Sequence, residues 1–211
     1  MLHIINFRKS YGDISVLAID ELRITPGLYW INGINGSGKS TFLKTLAGIL
    51  SFDGDITLDE SISLKKQSVA YRRFINFAEA EPLFPEFLTG WEMINLFTSA
   101  KGAPAGQEQY YIESMQMQRY LHQPIRTYSS GMLKKLSLVL AFIGQPRVIL
   151  LDEPLITMDK DSLEILYQWI SEKHEQEGTC FLLSSHQALA DDRLSNAREL
   201  LVAGQTVSFP D

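Results

Sequence analysis

A single cysteine, Cys180, stands among 211 residues. That excludes an intrachain disulfide framework and a cysteine metal cluster, and it is the usage a reducing compartment permits. Long apolar runs are missing as well. The longest, around Leu136 to Ile143 and Val148 to Leu151, fall far below the ~20 residues of a membrane-spanning helix. Met1 to Ser10 has no charged stretch leading into an apolar core, so no secretory signal is read there. Positive charge is the scarcer sign: 19 Lys and Arg against 25 Asp and Glu give a net charge of −6. A chain that held nucleic acid by bulk electrostatics would show the opposite balance, although a local basic patch stays open. These absences predict a soluble, cytoplasmic protein that does not bind nucleic acid. Work at a membrane would require a partner to do the spanning.

What is present is ordinary globular composition. Hydrophobic residues make up 45% of the chain, charged residues 21%, with 14 Gly and 8 Pro. The length fits one domain with two lobes. Runs rich in Val, Ile, Leu, Tyr and Trp predict strands at Leu2 to Phe7, Val16 to Ile24 and Leu28 to Ile31. A helix is expected over Lys39 to Ile49, with Phe42, Leu43, Leu46 and Ile49 on one face. Asp53-Gly54-Asp55 predicts a turn before a strand at Ile56 to Leu58. From Phe77 to Ile143 the periodicity becomes helical, at Trp91 to Ala100, Glu108 to Leu121 and Met132 to Ile143. Beyond it come a buried strand at Val148 to Leu151, an amphipathic helix over Lys160 to Lys173 and a strand at Cys180 to Ser184. A hairpin over Arg198 to Phe209 closes the chain. This alternation predicts an α/β core, divided as a β subdomain with a glycine-rich turn (1–76), a helical lobe (77–145) and the rest of the core (146–211).

Two motifs carry chemistry. Gly33-Ile34-Asn35-Gly36-Ser37-Gly38-Lys39-Ser40 fits G-x-x-x-x-G-K-[ST] between a strand and a helix. Its glycines let backbone N–H groups converge on phosphate oxygens, and the helix N-terminus adds favourable partial charge. Lys39 would reach the outer phosphates and Ser40 would ligate Mg²⁺. Further on, Val148 to Leu151 ends in Asp152-Glu153, two adjacent acids at the end of an apolar strand, which are costly unless they meet a cation or water. With that strand running beside the phosphate loop, Asp152 would help hold Mg²⁺ and Glu153 would act as general base on the attacking water.

Between these motifs Tyr128-Ser129-Ser130-Gly131-Met132 opens an amphipathic helix. A phosphate loop, this segment, and a carboxylate strand some twenty residues on together resemble the ATP-binding cassette (ABC) ATPases, whose signature is usually L-S-G-G-Q. The resemblance spans essentially the whole chain and implies a P-loop NTPase core with a parallel sheet, an N-terminal antiparallel β subdomain and an inserted helical lobe. It assigns Tyr11 to stacking on adenine, Gly33, Asn35, Gly36, Ser37, Gly38, Lys39, Ser40 and Thr41 to the phosphates, and Met158-Asp159 to a loop crossing a dimer interface. It assigns His186, after Ser184-Ser185, to the γ-phosphate. The family usually places a Gln where the chain enters the helical lobe. Here that segment reads Ile75-Asn76-Phe77-Ala78-Glu79-Ala80-Glu81-Pro82, and the position falls on Glu79 or Ala80. A carboxylate at Glu79 would still approach Mg²⁺ but adds negative charge near the phosphates; the plain alternative is two solvated glutamates in a loop.

The resemblance also implies a mechanism. ATP on the phosphate loop of one copy is covered by Ser129, Ser130 and Gly131 of a second copy, a homodimer or a close paralogue, and hydrolysis opens the sandwich. The expected role is the ATP-hydrolysing subunit of a transporter, on the cytoplasmic face of a membrane through a membrane-spanning partner. The form Tyr-Ser-Ser-Gly-Met is similar to exporter cassettes. The alternative is a soluble cassette that drives assembly of a cytosolic complex.

Overall fold

The computed structural model describes residues 1–185 and 194–210. Two sheets organise them. The first is antiparallel, in the order β2-β1-β4-β5, from β1 (Leu2–Tyr11), β2 (Ile14–Ile24), β4 (Asp53–Leu58) and β5 (Ile62–Ser63). Its inward side chains include Leu2, Ile4 and Phe7 of β1 and Leu17, Ile19, Leu22 and Ile24 of β2, the alternation expected of a sheet packed on one face. A register shift between Lys9 and Ser10 carries β1 to the hairpin tip, where Tyr11 pairs with Ile14.

The second sheet has six strands in the order β10-β9-β3-β8-β7-β6. β6 (Ile75–Ala78), β7 (Val148–Leu151), β8 (Cys180–Ser184), β3 (Leu28–Asn32) and β9 (Arg198–Ala203) are parallel, and β10 (Thr206–Ser208) turns back antiparallel. Every residue of β7 and β8 is buried, which is why these runs read as uninterrupted apolar sequence. One core fills the space between the two sheets and α1 (Lys39–Leu46). The other lies under α3 (Gly90–Lys101), α4 (Gln107–Ser114), α5 (Ser130–Phe142) and α6 (Lys160–Glu177), with Trp169 ringed by Tyr110, Tyr111 and Phe142.

Several elements depart from expectation. α1 stops at Leu46, because Gly48 turns left-handed at φ +74° and a Cβ there would press on Leu64 and Arg72. Ile49 is consequently exposed rather than on the apolar face. The helix expected over Glu108 to Leu121 ends at Ser114, where Gln116 takes φ +56° and Met115, Met117 and Leu121 turn into the core. A short helix, α2 (Ser68–Phe74), buries only Tyr71 and so offers no periodicity to read. The boundary expected between 76 and 77 falls inside β6. α5 packs on β6 and β7, so the last helix of the expected lobe lies against the sheet itself.

One buried side chain ties α5 to that sheet. Asn76, 3% exposed on β6, donates through Nδ2 to the carbonyls of Ala141 (2.7 Å) and Ile143 (2.8 Å). These are helix-end carbonyls that lack an intrahelical partner. Asn76→Ala leaves them without that donor, so unfolding stability should fall by about 1–3 kcal/mol. Urea denaturation measures the change, with an unchanged slope showing that the denatured state is unaffected.

Candidate nucleotide site

The site lies at the carboxyl ends of β3, β8 and β7. Asn32 closes β3, and its side chain is fixed at both ends: Oδ1 accepts from the Gly33 N–H (2.8 Å) and Nδ2 donates to Glu199 (2.7 Å). The loop then depends on glycine. Gly36 and Gly38 have φ of +77° and +110°, which side chains rarely tolerate, and a Cβ on Gly38 would crowd Val16 and Leu17. α1 begins immediately afterwards with no side-chain cap and no acidic residue in its first turn, leaving its N–H groups to an anion. Lys39 is 6% exposed, and its Nζ donates to the carbonyls of Gly33 (2.7 Å) and Ile34 (3.2 Å), which holds the ammonium against the loop. Ser37 Oγ is buried with no hydrogen-bond partner among the described residues.

The acid pair meets this loop across an intervening strand. β7 is not beside β3; β8 lies between them. α1 packs over β8 and brings Ser40 across, so that its Oγ donates to Asp152 Oδ1 at 3.1 Å. Ser184, at the end of β8, donates to the same oxygen at 2.7 Å and accepts from the Glu153 N–H at 2.9 Å. Asp152 is 1% exposed. Glu153 has φ +44°, an unfavourable conformation for a side chain with a Cβ and one that clusters at functional sites.

A cavity of about 350 Å³ joins these parts. Tyr11, Val16, Asn35, Gly36, Gly38, Lys39, Ser40, Thr41 and Glu153 line it. Tyr11 is half exposed, with Lys9 Nζ 4.7 Å from its ring centre. An adjoining groove of about 760 Å³ takes in Val16, Gly33, Ile34, Ser37 and the β9–β10 turn. An aromatic face, a glycine loop, a lysine, a hydroxyl and a carboxylate therefore border one space.

The remaining predicted residues stand elsewhere. Ser129, Ser130 and Gly131 do not line this cavity. Ser129 caps α5 by accepting from the Met132 N–H (3.3 Å), and both serines are exposed. Asp159 caps α6, accepting from the Ser162 N–H and Oγ (2.9 Å each), and lies 3.5 Å from Lys135. Those bonds from Ser162 hold its carboxyl below the usual range. The Glu79 carboxylate is paired with Lys44 of α1 and is absent from the cavity lining. His186 lies outside the described residues.

Sequence reasoning passed over three lysines near this site. Lys44 holds Glu79 and Lys135 faces Asp159. Lys134, 1% exposed, donates to the carbonyls of Glu79 (3.1 Å), Ala80 (3.3 Å) and Asp152 (3.1 Å). Burial pulls its ammonium down to about 8, against the opposing pull of Asp152, Glu153 and Glu79. The available signal was a lysine one turn into a helix whose inner face is otherwise apolar but for Ser137.

Among the described residues no helix is long and apolar enough to cross a membrane, and no cluster of three or more His, Cys, Asp or Glu side chains gathers to hold a metal. Comparison with known proteins then identifies the family. A family profile described as "ABC transporter" matches residues 21–156, which include the glycine loop, Ser129 to Gly131 and the acid pair. The chain is 30% identical to human ATP-binding cassette sub-family A member 13, over 94% of this chain but only 4% of that protein. It is 27% identical to the lantibiotic transport ATP-binding protein SrtF of Streptococcus pyogenes, over 88% of this chain and 80% of that one. Its fold superposes on the dimeric ATP-binding cassette MJ0796, solved in a post-hydrolysis state with ADP and Pi. The TM-score is 0.83 at 24% identity, covering 99% of this chain and 97% of that one. The chain belongs to the ABC transporter family, as its ATP-binding ATPase domain.

Proposed function

We propose that this chain is the ATP-hydrolysing subunit of an exporter, working as a dimer beneath a separate membrane-spanning partner. The observation that carries the nucleotide reading is the shared cavity: Tyr11, the glycine loop, Lys39, Ser40 and Glu153 border one space. Adenine stacks on the Tyr11 face. Loop N–H groups and Lys39 take the phosphates, with Gly33, Asn35, Ser37 and Thr41 shaping the loop and the first helical turn. The donor set suits Mg²⁺, which uses one or two protein oxygens together with phosphates and water: Ser40 Oγ and Asp152 Oδ1 already meet. When bound, the ion neutralises charge on the outer phosphates. Glu79 is not retained as a ligand, because Lys44 engages its carboxylate.

In hydrolysis a water adds to the γ-phosphorus, the bond to the β-bridging oxygen breaks, and ADP and phosphate form. Glu153 accepts the water's proton, and Lys39 stays on the phosphates as charge moves to the leaving oxygen. The family resemblance assigns the γ-phosphate contact to His186. Ser129, Ser130 and Gly131 lie at the exposed N-terminus of α5 and do not line this cavity, a placement that supports a second copy covering the γ-phosphate. Asp159 then stands at the dimer seam. Export is supported by the signature form Tyr128 to Met132 and by relatives such as the lantibiotic transport protein.

Lys39→Ala removes a charge-assisted contact to phosphate, about 1.5–3 kcal/mol, and should weaken nucleotide binding by roughly 10- to 100-fold. Titration with a fluorescent ATP analogue reads this directly. Glu153→Gln should bind ATP normally and hydrolyse it roughly 10²–10⁴-fold more slowly. Its ATP-loaded form should accumulate as a dimer in gel filtration, and wild-type turnover would overturn the base assignment. Affinity purification from gently solubilised native membranes tests the partner. A multi-spanning protein in near-equal amount supports the transporter reading, whereas recovery only in a cytosolic complex supports an assembly ATPase.

A further inference from the structure

We propose that Lys134 is a positioning residue for hydrolysis, clamping the peptide that joins Asp152 to Glu153 and tying it to the loop that follows β6. The inference rests on the reading of Asp152 and Glu153 as the hydrolytic acids.

The geometry is specific to one peptide plane. Its carbonyl, on Asp152, accepts from Lys134 Nζ at 3.1 Å. Its N–H, on Glu153, donates to Ser184 Oγ at 2.9 Å. Both hydrogen-bonding groups of that peptide are therefore held, one from α5 and one from β8. The residue that follows has the unfavourable φ of +44°, which persists only where surrounding structure over-determines it. Rotating this peptide would swing both carboxylates, because one precedes and the other follows it. The ammonium's other bonds go to the carbonyls of Glu79 and Ala80, immediately after β6. One buried cation thus binds the signature helix, the loop after β6 and the acid pair into a single unit. A charge with 1% exposure is costly to bury, and an apolar residue at this place on α5 would pack without that cost. The three carbonyls are what the charge answers.

A matched comparison lies within the same molecule. Lys101 is partly buried, and its Nζ also donates to backbone carbonyls, those of Arg72 and Ile75. Neither carbonyl touches the acid pair.

The test compares Lys134→Met, Lys101→Met and Glu153→Gln in the full chain. For Lys134→Met we expect kcat for ATP to fall about 10-fold or more while KM shifts less than about 3-fold, the pattern of a group acting in the transition state. Hydrogen exchange should quicken together in peptides covering 79–82 and 152–154. Lys101→Met should lower thermal stability and leave kcat and exchange at 152–154 unchanged. If Lys134→Met does not fold, Lys134→Gln is read by the same two measurements. A folded Lys134 variant with wild-type kcat, or with exchange at 152–154 unaltered, overturns the proposal. Wild-type turnover by Glu153→Gln overturns instead the reading on which it rests.

Discussion

The structure turns on one carboxylate oxygen. Asp152 Oδ1 receives the hydroxyl of Ser40 from α1 and the hydroxyl of Ser184 from β8, at the mouth of β7. Three elements far apart in sequence are registered to one another at that atom. A carboxylate at 1% exposure requires such donors, and the sheet order makes the need acute. Because β8 separates β7 from β3, the glycine loop cannot reach the acid strand by ordinary ladder pairing. α1 must cross the top of β8, and Phe42, Leu43 and Leu46, all fully buried beneath it, hold it there. The polar contact fixes register while the apolar face supplies the stability.

Around this oxygen the acidic excess of the molecule is offset. The chain as a whole carries −6, yet α1 and α5 direct Lys39, Lys44, Lys134 and Lys135 at the loops that form the site. Lys44 takes Glu79, Lys135 takes Asp159, and Lys134 binds only carbonyls. Glu79 and Asp159 are thereby paired locally. An overall acidic chain can then admit a polyanion, because the field that matters is that of the nearest few ångströms and not the sum over a screened surface.

How much of this was legible depended on whether a feature is local. The glycine loop was readable because its spacing, its strand and its helix are contiguous in sequence. The acid pair was readable because β7 is apolar throughout. Tyr11 and Ser129 were named through the family resemblance, and the structure adds that one lies at a hairpin tip and the other caps α5. What escaped was every contact made across the fold. Nothing in Ser184 or Lys134 says which carbonyl or carboxylate each will meet, and a lysine at an inward helical position looks like an error in the pattern until its partners are placed. The placement of β8 between β7 and β3 was not legible either, since strand order is settled by long-range packing. Helix ends were missed where a left-handed residue decided them, at Gly48 and Gln116.

The placement of the signature segment suits the two-copy arrangement proposed above. Ser129 spends its hydroxyl on capping its own helix, so what α5 offers outward is backbone N–H and helix dipole, not a side chain already aimed at a ligand. Such a terminus attracts an anion only within about its first turn. The nucleotide cavity of the same chain does not include it. An outer phosphate held on Lys39 and Ser40 in one copy can satisfy the α5 terminus of another, and that contact exists only while the γ-phosphate does. Because Lys134 sits one turn inside α5 and grips the peptide between the two acids, a displacement of this helix would be delivered to Asp152 and Glu153 through one buried side chain. Under the proposed function, closure and the alignment of the general base would then be one event, which is the condition for ATP to be cleaved only after the sandwich has formed.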